Sequence, residues 1–333
     1  LISVVKVSQA NAPGVHSPRG AQATGAMKGG MYMRLILIVL NCFGMAVVTC
    51  GQEPPGLPEP EIATVETGAV APADSMGFLR VRAIRGPDWE IEKFKTPDGL
   101  WYAELRARGA KVTEFGNCGE REDWMRFMLW PVDATHPDLL LVLRYAGGIH
   151  GADALDIIHL KEDFRTLFHS VDEFNFNQVS DLNADGGPEI VGVSRHYAYL
   201  FDLTRDASPF PTVVFSFRPD AGKYMCQNHR FSSVLSEKAL GYRDAFERSH
   251  LAKGMFVYDR WNEESRRAFA SLVSWILETC YMGQSEAAWA YVHQFAAPET
   301  VNLVQPVITE KLSTEPYYQE MLRMLERDKL AGN

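Results

Sequence analysis

The chain is expected to be α+β: an N-terminal all-β domain, built as propeller-like blades or a sandwich, followed by a helical C-terminal region. Three observations predict this. Short apolar or alternating runs separated by turn residues fill residues 76–219. Apolar residues recur at helical spacing after residue 230. A stretch rich in Pro and small residues, 51–75, sets both regions apart from an apolar N-terminal segment.

Within the β region, 78–84 alternates with period two. Residues 89–95 and 100–106 read as a hairpin around Thr96-Pro97-Asp98-Gly99, whose Pro and Asp-Gly suit turn positions. Further strands are expected at 125–130, 139–145, 155–160, 166–169, 190–194, 197–203 and 212–217. Many short strands at this spacing imply a sandwich or blades. Helices follow from Phe269, Leu272, Val273, Ile276 and Cys280, then Trp289, Val292 and Phe295, then Tyr318, Met321, Leu322 and Leu325. Gly283 separates the first two, and Thr314 with Pro316 suggests a cap and first turn for the last. These aromatic and Met stripes are read as core.

Domain limits are accordingly placed at 1–50, 51–75, 76–229 and 230–333. No hydrophobic period runs through 1–26, so Met27, Met31 or Met33 is expected to begin the translated protein. Lys28 and Arg34 then precede an apolar run, 35–49, ending at Cys50. A basic start and an apolar core of about 15 residues are signal-peptide dimensions, short of the roughly 20 of a membrane span. Val47-Val48-Thr49-Cys50 resembles a bacterial lipobox, although Thr49 replaces the usual Gly, Ala or Ser; Asn41-Cys42 fits that pattern worse. The resemblance implies cleavage before Cys50 and lipidation of its thiol, with 51–75 as a tether. The implied location is the cell envelope, on the extracytoplasmic side, in the outer membrane or at the cell surface. Gly51, where an Asp would resemble an inner-membrane retention signal, favours the outer membrane. An ordinary cleaved signal peptide, giving a secreted or periplasmic protein, and an uncleaved anchor are the alternatives.

Charge limits the partners. The 333-residue chain has 33 basic side chains, four of which precede Cys50, and 42 acidic ones, all of which follow it. The part after Cys50 therefore carries about −13, against nucleic acid or anionic lipid as the main partner. Contact with a membrane is expected through the lipid anchor only. If Cys50 is acylated, Cys118, Cys226 and Cys280 allow one disulfide with one thiol left over. A Cys118–Cys226 bridge would join the ends of the β region, but the pairing stays open.

The sharpest motif is Asp181-Leu182-Asn183-Ala184-Asp185-Gly186-Gly187-Pro188-Glu189. Side-chain oxygens fall at positions 1, 3 and 5, with a further carboxylate at 9; calcium takes six to eight oxygens. Gly186 permits a sharp turn, and Gly187 offers a carbonyl at position 7. Position 12 is Gly192 rather than Glu, and Ile190-Val191-Gly192-Val193 reads as a strand, which excludes an EF-hand. The pattern is similar to the calcium loop of FG-GAP or VCBS-type repeats, with 174–182 as the incoming strand. That resemblance implies Ca2+ bound in a structural role by Asp181, Asn183, Asp185, the Gly187 carbonyl and Glu189. It covers one loop and its flanking strands, without the Phe-Gly…Gly-Ala-Pro signature. The competing reading is a metal-free turn in which Asp181 and Asn183 cap their own backbone.

Catalytic signals are sparse. His150, His159, His169 and His196 have no metal-ligand spacing, and Gly147-Gly148-Ile149-His150-Gly151 matches neither a phosphate loop nor a nucleophile elbow. Glu120, Glu122 and Asp123 read as a solvated turn, and Glu263-Glu264 with Arg266-Arg267 as an exposed helix opening. The expectation is a non-enzymatic, lipid-anchored, calcium-stabilised module binding a protein or glycan. The alternatives are an extracytoplasmic hydrolase or carbohydrate-active enzyme, and a structural envelope protein without a specific ligand.

Overall fold

The computed structural model describes residues 64–66, 79, 81–116, 121–131, 137–145, 153–161, 164–170, 174–250 and 255–332. Cys50 and its lipobox lie outside these, as do Cys118 and the 147–151 loop; of the expected tether, residues 64–66 are described and form a strand of the first sheet. Ile62–Asn333 forms one compact unit.

Three sheets follow one another along the chain. The first holds β1 (Thr64–Glu66), parallel to β2 (Ala83–Arg85), then β3 (Trp89–Lys95), β4 (Trp101–Ala107) and β5 (Ala110–Phe115) in antiparallel order. The second is an antiparallel meander of β6 (Met125–Pro131), β7 (Pro137–Tyr145), β8 (Asp153–His159) and β9 (Thr166–His169). The third repeats that order with β10 (Phe174–Ser180), β11 (Glu189–Ser194), β12 (Thr212–Arg218) and β13 (Lys223–Cys226). Among the described residues no strand pairing joins the sheets, apart from an isolated bridge between Leu79 and Phe127. The α+β class is therefore present as three meanders followed by helices, with no closed barrel or ring among these residues.

Burial explains the order of layers. On β3 and β4, Ile91, Ala103 and Leu105 face inward and share a core with Met125, Phe127, Leu140, Val142 and Ile158 of the second sheet. The opposite face of that sheet, with Leu139, Leu141, Leu143, Leu155 and Ile157, enters a larger core that includes Phe174, Ile190, Val213 and Phe215 of the third sheet. Burial on both sides is why the Leu139-Leu140-Leu141-Val142-Leu143 run is continuous rather than alternating.

The larger core continues into the helices α1 (Ser232–His250), α2 (Glu263–Tyr281), α3 (Ser285–Phe295), α4 (Pro298–Thr314) and α5 (Pro316–Leu330). The α2 stripe is buried as its spacing predicts, and Gly283 takes φ +78° between α2 and α3. Asn262 caps α2 by accepting from the Ser265 amide at 3.0 Å, and Glu263 pairs with Arg266 and Arg267 on its exposed first turns.

Three local expectations are corrected. Residues 197–203 do not form a strand: Tyr197, Leu200 and Leu203 are buried at every third position, while Tyr199, Phe201 and Asp202 take positive φ. That period belongs to tight turns rather than to a pleat. The α5 cap is Glu315, whose carboxylate accepts from the Tyr318 amide; Thr314 ends α4 instead. Cys226 and Cys280 are buried free thiols, so Cys226 forms no bridge to Cys118.

Candidate metal centre

Antiparallel pairing brings Ser180 opposite Glu189 and makes the acidic motif the connection between β10 and β11. The loop is wound by its own side chains. Asp181 accepts from the Asp185 amide (3.1 Å) with one oxygen and from the Gly186 amide (3.0 Å) with the other. Asn183 Oδ1 accepts from the Asp185 amide at 3.0 Å, and Asp185 Oδ1 from the Gly187 amide at 2.8 Å. Gly186 sits at φ +88° and Ala184 at +61°, so the turn uses the left-handed region twice within three residues.

Glu189 differs from the other acids. It is 2% exposed, at the foot of the loop, and its Oε2 accepts from the Leu182 amide at 2.7 Å. Burial pushes its carboxyl above the ordinary range; the Leu182 hydrogen bond opposes that, and the nearby Asp185 and Asp181 charges add to it. Tyr224 on β13 is likewise raised, by burial and then by Glu189 and Asp185.

Between the two carboxylates lies the Asn183 amide: Nδ2 donates to Asp185 Oδ2 at 2.9 Å and to Glu189 Oε1 at 3.4 Å. Its partly positive hydrogens lie between the two carboxylates and offset their mutual repulsion. The donors are all oxygen, the chemistry of a hard cation such as calcium. Among the described residues, no group of three or more His, Cys, Asp or Glu side chains is arranged to hold a metal ion. The loop thus stands in its self-hydrogen-bonded form.

Gly192, whose presence excludes an EF-hand, has a packing role. A Cβ there would fall 2.2 Å from the Phe174 ring and 2.4 Å from the Asn175 carbonyl oxygen. The opposing β10 is also bulged between Phe176 and Gln178.

The histidines are dispersed. His159 ends β8, and His196 follows β11 with its ring edge-on to Tyr197 at 5.4 Å. On β9, His169 lies cross-strand from Asp156, Nδ1 to Oδ1 at 2.6 Å, while Arg144 Nη2 holds the other Asp156 oxygen at 2.6 Å. Sequence reasoning missed this pair because only the β8–β9 register brings the two together.

Two further buried carboxylates were also missed. Glu315 accepts from Ser194 Oγ at 2.8 Å, and Asp328 accepts from Arg218, His229 and Arg230 at 3.0, 3.0 and 2.8 Å. Both tie the third sheet and its flanking turn to α5. Compared with known protein families, curated proteins and solved structures, the chain matches none of them.

Proposed function

We propose that the chain is exported, lipid-anchored at Cys50, and serves on the extracytoplasmic side as a binding or interaction module for a protein or glycan. Its β portion is stiffened by Ca2+ held by Asp181, Asn183, Asp185, the Gly187 carbonyl and Glu189. The observation that carries the calcium reading is Glu189. A carboxylate 2% exposed beside two further acids, balanced only by amide donors, is a costly arrangement that a divalent cation would relieve. In that role the metal supplies charge neutralisation and cross-links β10 to β11. Three successive meanders, two pairs of which share core faces, support a propeller-like arrangement of blades.

The second reading, an extracytoplasmic hydrolase, is favoured by one feature. Asp156 fixes one nitrogen of His169, whose side chain is 62% exposed, and leaves the other available as a general base. No convergent nucleophile accompanies it among the described hydrogen bonds, so the module reading is preferred.

Mass spectrometry of the mature N-terminus, combined with metal analysis of the purified protein, tests the proposal. The expected species begins at an acylated Cys50 and carries calcium. An unprocessed chain recovered from cytosol without bound metal overturns it.

A further inference from the structure

The outer face of the first sheet carries a second constellation, far in sequence from the acidic loop. Ile91, Lys93, Ala103 and Leu105 point into the core, so alternation turns Glu90, Glu92 and Phe94 of β3 and Tyr102, Glu104 and Arg106 of β4 to the other side. Register sets Glu90 opposite Arg106, Glu92 opposite Glu104, and Phe94 opposite Tyr102. Glu90, Glu92, Phe94, Glu104 and Arg106 line a cavity of about 300 Å3. The Phe94 and Tyr102 rings stack at 5.8 Å and 18° beside it.

Like charges placed directly opposite on neighbouring strands, here Glu92 and Glu104, weaken a sheet unless they are compensated. The compensation is present: Arg82 pairs with Glu92 (3.6 Å), Arg85 with Glu90 (3.3 Å), Arg106 with Glu104, and Lys111 with Glu104 (3.2 Å) and Glu114. Four cations thus answer four carboxylates, so the formal charges across this face balance.

The side chains are nevertheless dense in donors and acceptors and are held in place by one another. A hydrogen-bonding surface with no net charge, beside an aromatic platform, suits a neutral, hydroxyl-rich ring whose apolar face can lie on Phe94. We propose that this face binds a neutral glycan, one sugar unit seated between Phe94 and the Glu92–Glu104–Arg106 side chains. The proposal deepens the binding-module reading and rests on it.

Glu104 is held below the ordinary range by the hydrogen bond from Arg106, against burial, and by Lys111, so it faces the cavity as a charged acceptor.

The test is titration calorimetry of the full chain against hexasaccharides of neutral sugars (gluco-, xylo-, manno- and N-acetylglucosamine series), with oligogalacturonate and chitosan oligomers as charged controls. At least one neutral series is expected to bind. Phe94→Ala should weaken it by roughly 5–10-fold, the loss of one stacking contact, and E92Q should weaken it too, with the melting temperature of E92Q unchanged. The Glu92→Gln variant, on a half-buried outer-face position, keeps the test open if Phe94→Ala fails to fold. Binding of charged oligomers alone, no binding across the panel, or equal binding by both variants overturns the proposal. So does a change of oligomeric state in the variants on sedimentation, which would make the face a contact between copies. Failure here leaves the mature N-terminus and metal content unaltered, so it is distinguishable from failure of the lipid-anchor and calcium readings.

Discussion

Ser194 Oγ, at the end of β11, donates a 2.8 Å hydrogen bond to Glu315 Oε1, the capping residue of α5, across a separation of 121 positions. The other carboxylate oxygen accepts from the Tyr318 amide, so one buried side chain both starts a helix and fastens it to the third sheet. Glu315→Ala should therefore remove a cap and strand two buried donors, costing about 2–4 kcal/mol in urea denaturation.

Glu315 also predicts a pH dependence. Burial raises its carboxyl above the ordinary range, against the hydrogen bonds from Tyr318 and Ser194. A raised folded-state value means the folded protein holds the proton more tightly than the unfolded chain. The stability from this group is full below the unfolded value and is lost as pH rises through the folded one. Glu315→Gln should flatten that decline; an unchanged pH–stability slope would remove Glu315 as its source.

Glu189→Gln should have opposite effects with and without calcium. Without it, the substitution removes a buried carboxylate repelled by Asp181 and Asp185, and thermal stability should rise or hold. With calcium in excess, wild type should gain about 2.7 kcal/mol at a hundredfold ratio of ligand to Kd, and the variant should gain much less. Melting curves in EDTA and in calcium at low ionic strength give the comparison. Identical curves for wild type in both buffers would dismiss the metal.

Asp328 responds to acid in the reverse sense from Glu315. Burial works against ionisation, but hydrogen bonds from His229, Arg218 and Arg230 outweigh it and bring the carboxyl down to about 2. Its contribution is full above the ordinary carboxylate value and is lost as pH falls toward the folded one. Asp328→Asn should lose less stability than wild type during that acid titration. At neutral pH it should be less stable by about 2–4 kcal/mol, because Arg218 and His229 lose a buried partner.

Cys226 and Cys280 should resist thiol reagents until the protein unfolds. Both are buried; burial raises both thiols, Cys280 to about 12, so little thiolate exists at neutral pH. Alkylation followed by peptide mapping should find both unmodified in native buffer and both modified in guanidinium. Rapid native labelling of Cys226 would contradict the packing of β13 against α5, where its amide donates to Glu320 at 2.8 Å, and labelling of Cys280 would contradict the burial of α2.

Much of the secondary structure was legible because local patterns encode it. The span 89–95 was read from turn chemistry and alternation and coincides with β3; 166–169, read as a short strand, coincides with β9. Elsewhere the pattern was weak. β5 has Val112 exposed and only Phe115 buried, so an edge strand of Lys, Thr and Glu carries little period. In α4, Val301, Val304, Ile308 and Leu312 keep helical spacing, but Pro306 lies inside and argues against the helix. α1 mixes buried Leu235, Ala239 and Phe246 with exposed Val234 and Leu240, which blurs its stripe.

The sequence alone determined where elements such as β3, β9 and α2 fall and which short loop concentrates oxygen donors, since propensity, turn chemistry and ligand spacing act between near neighbours. Only the tertiary structure decided that the second sheet is buried on both faces. It also decided that Glu315 and Asp328 fasten α5 to the third sheet, and that Glu92, Glu104 and Phe94 converge around one cavity. Those relationships depend on strand register and on contacts between residues far apart in the chain. A one-residue slip would turn every side chain of a strand to the opposite face, and composition is blind to that choice.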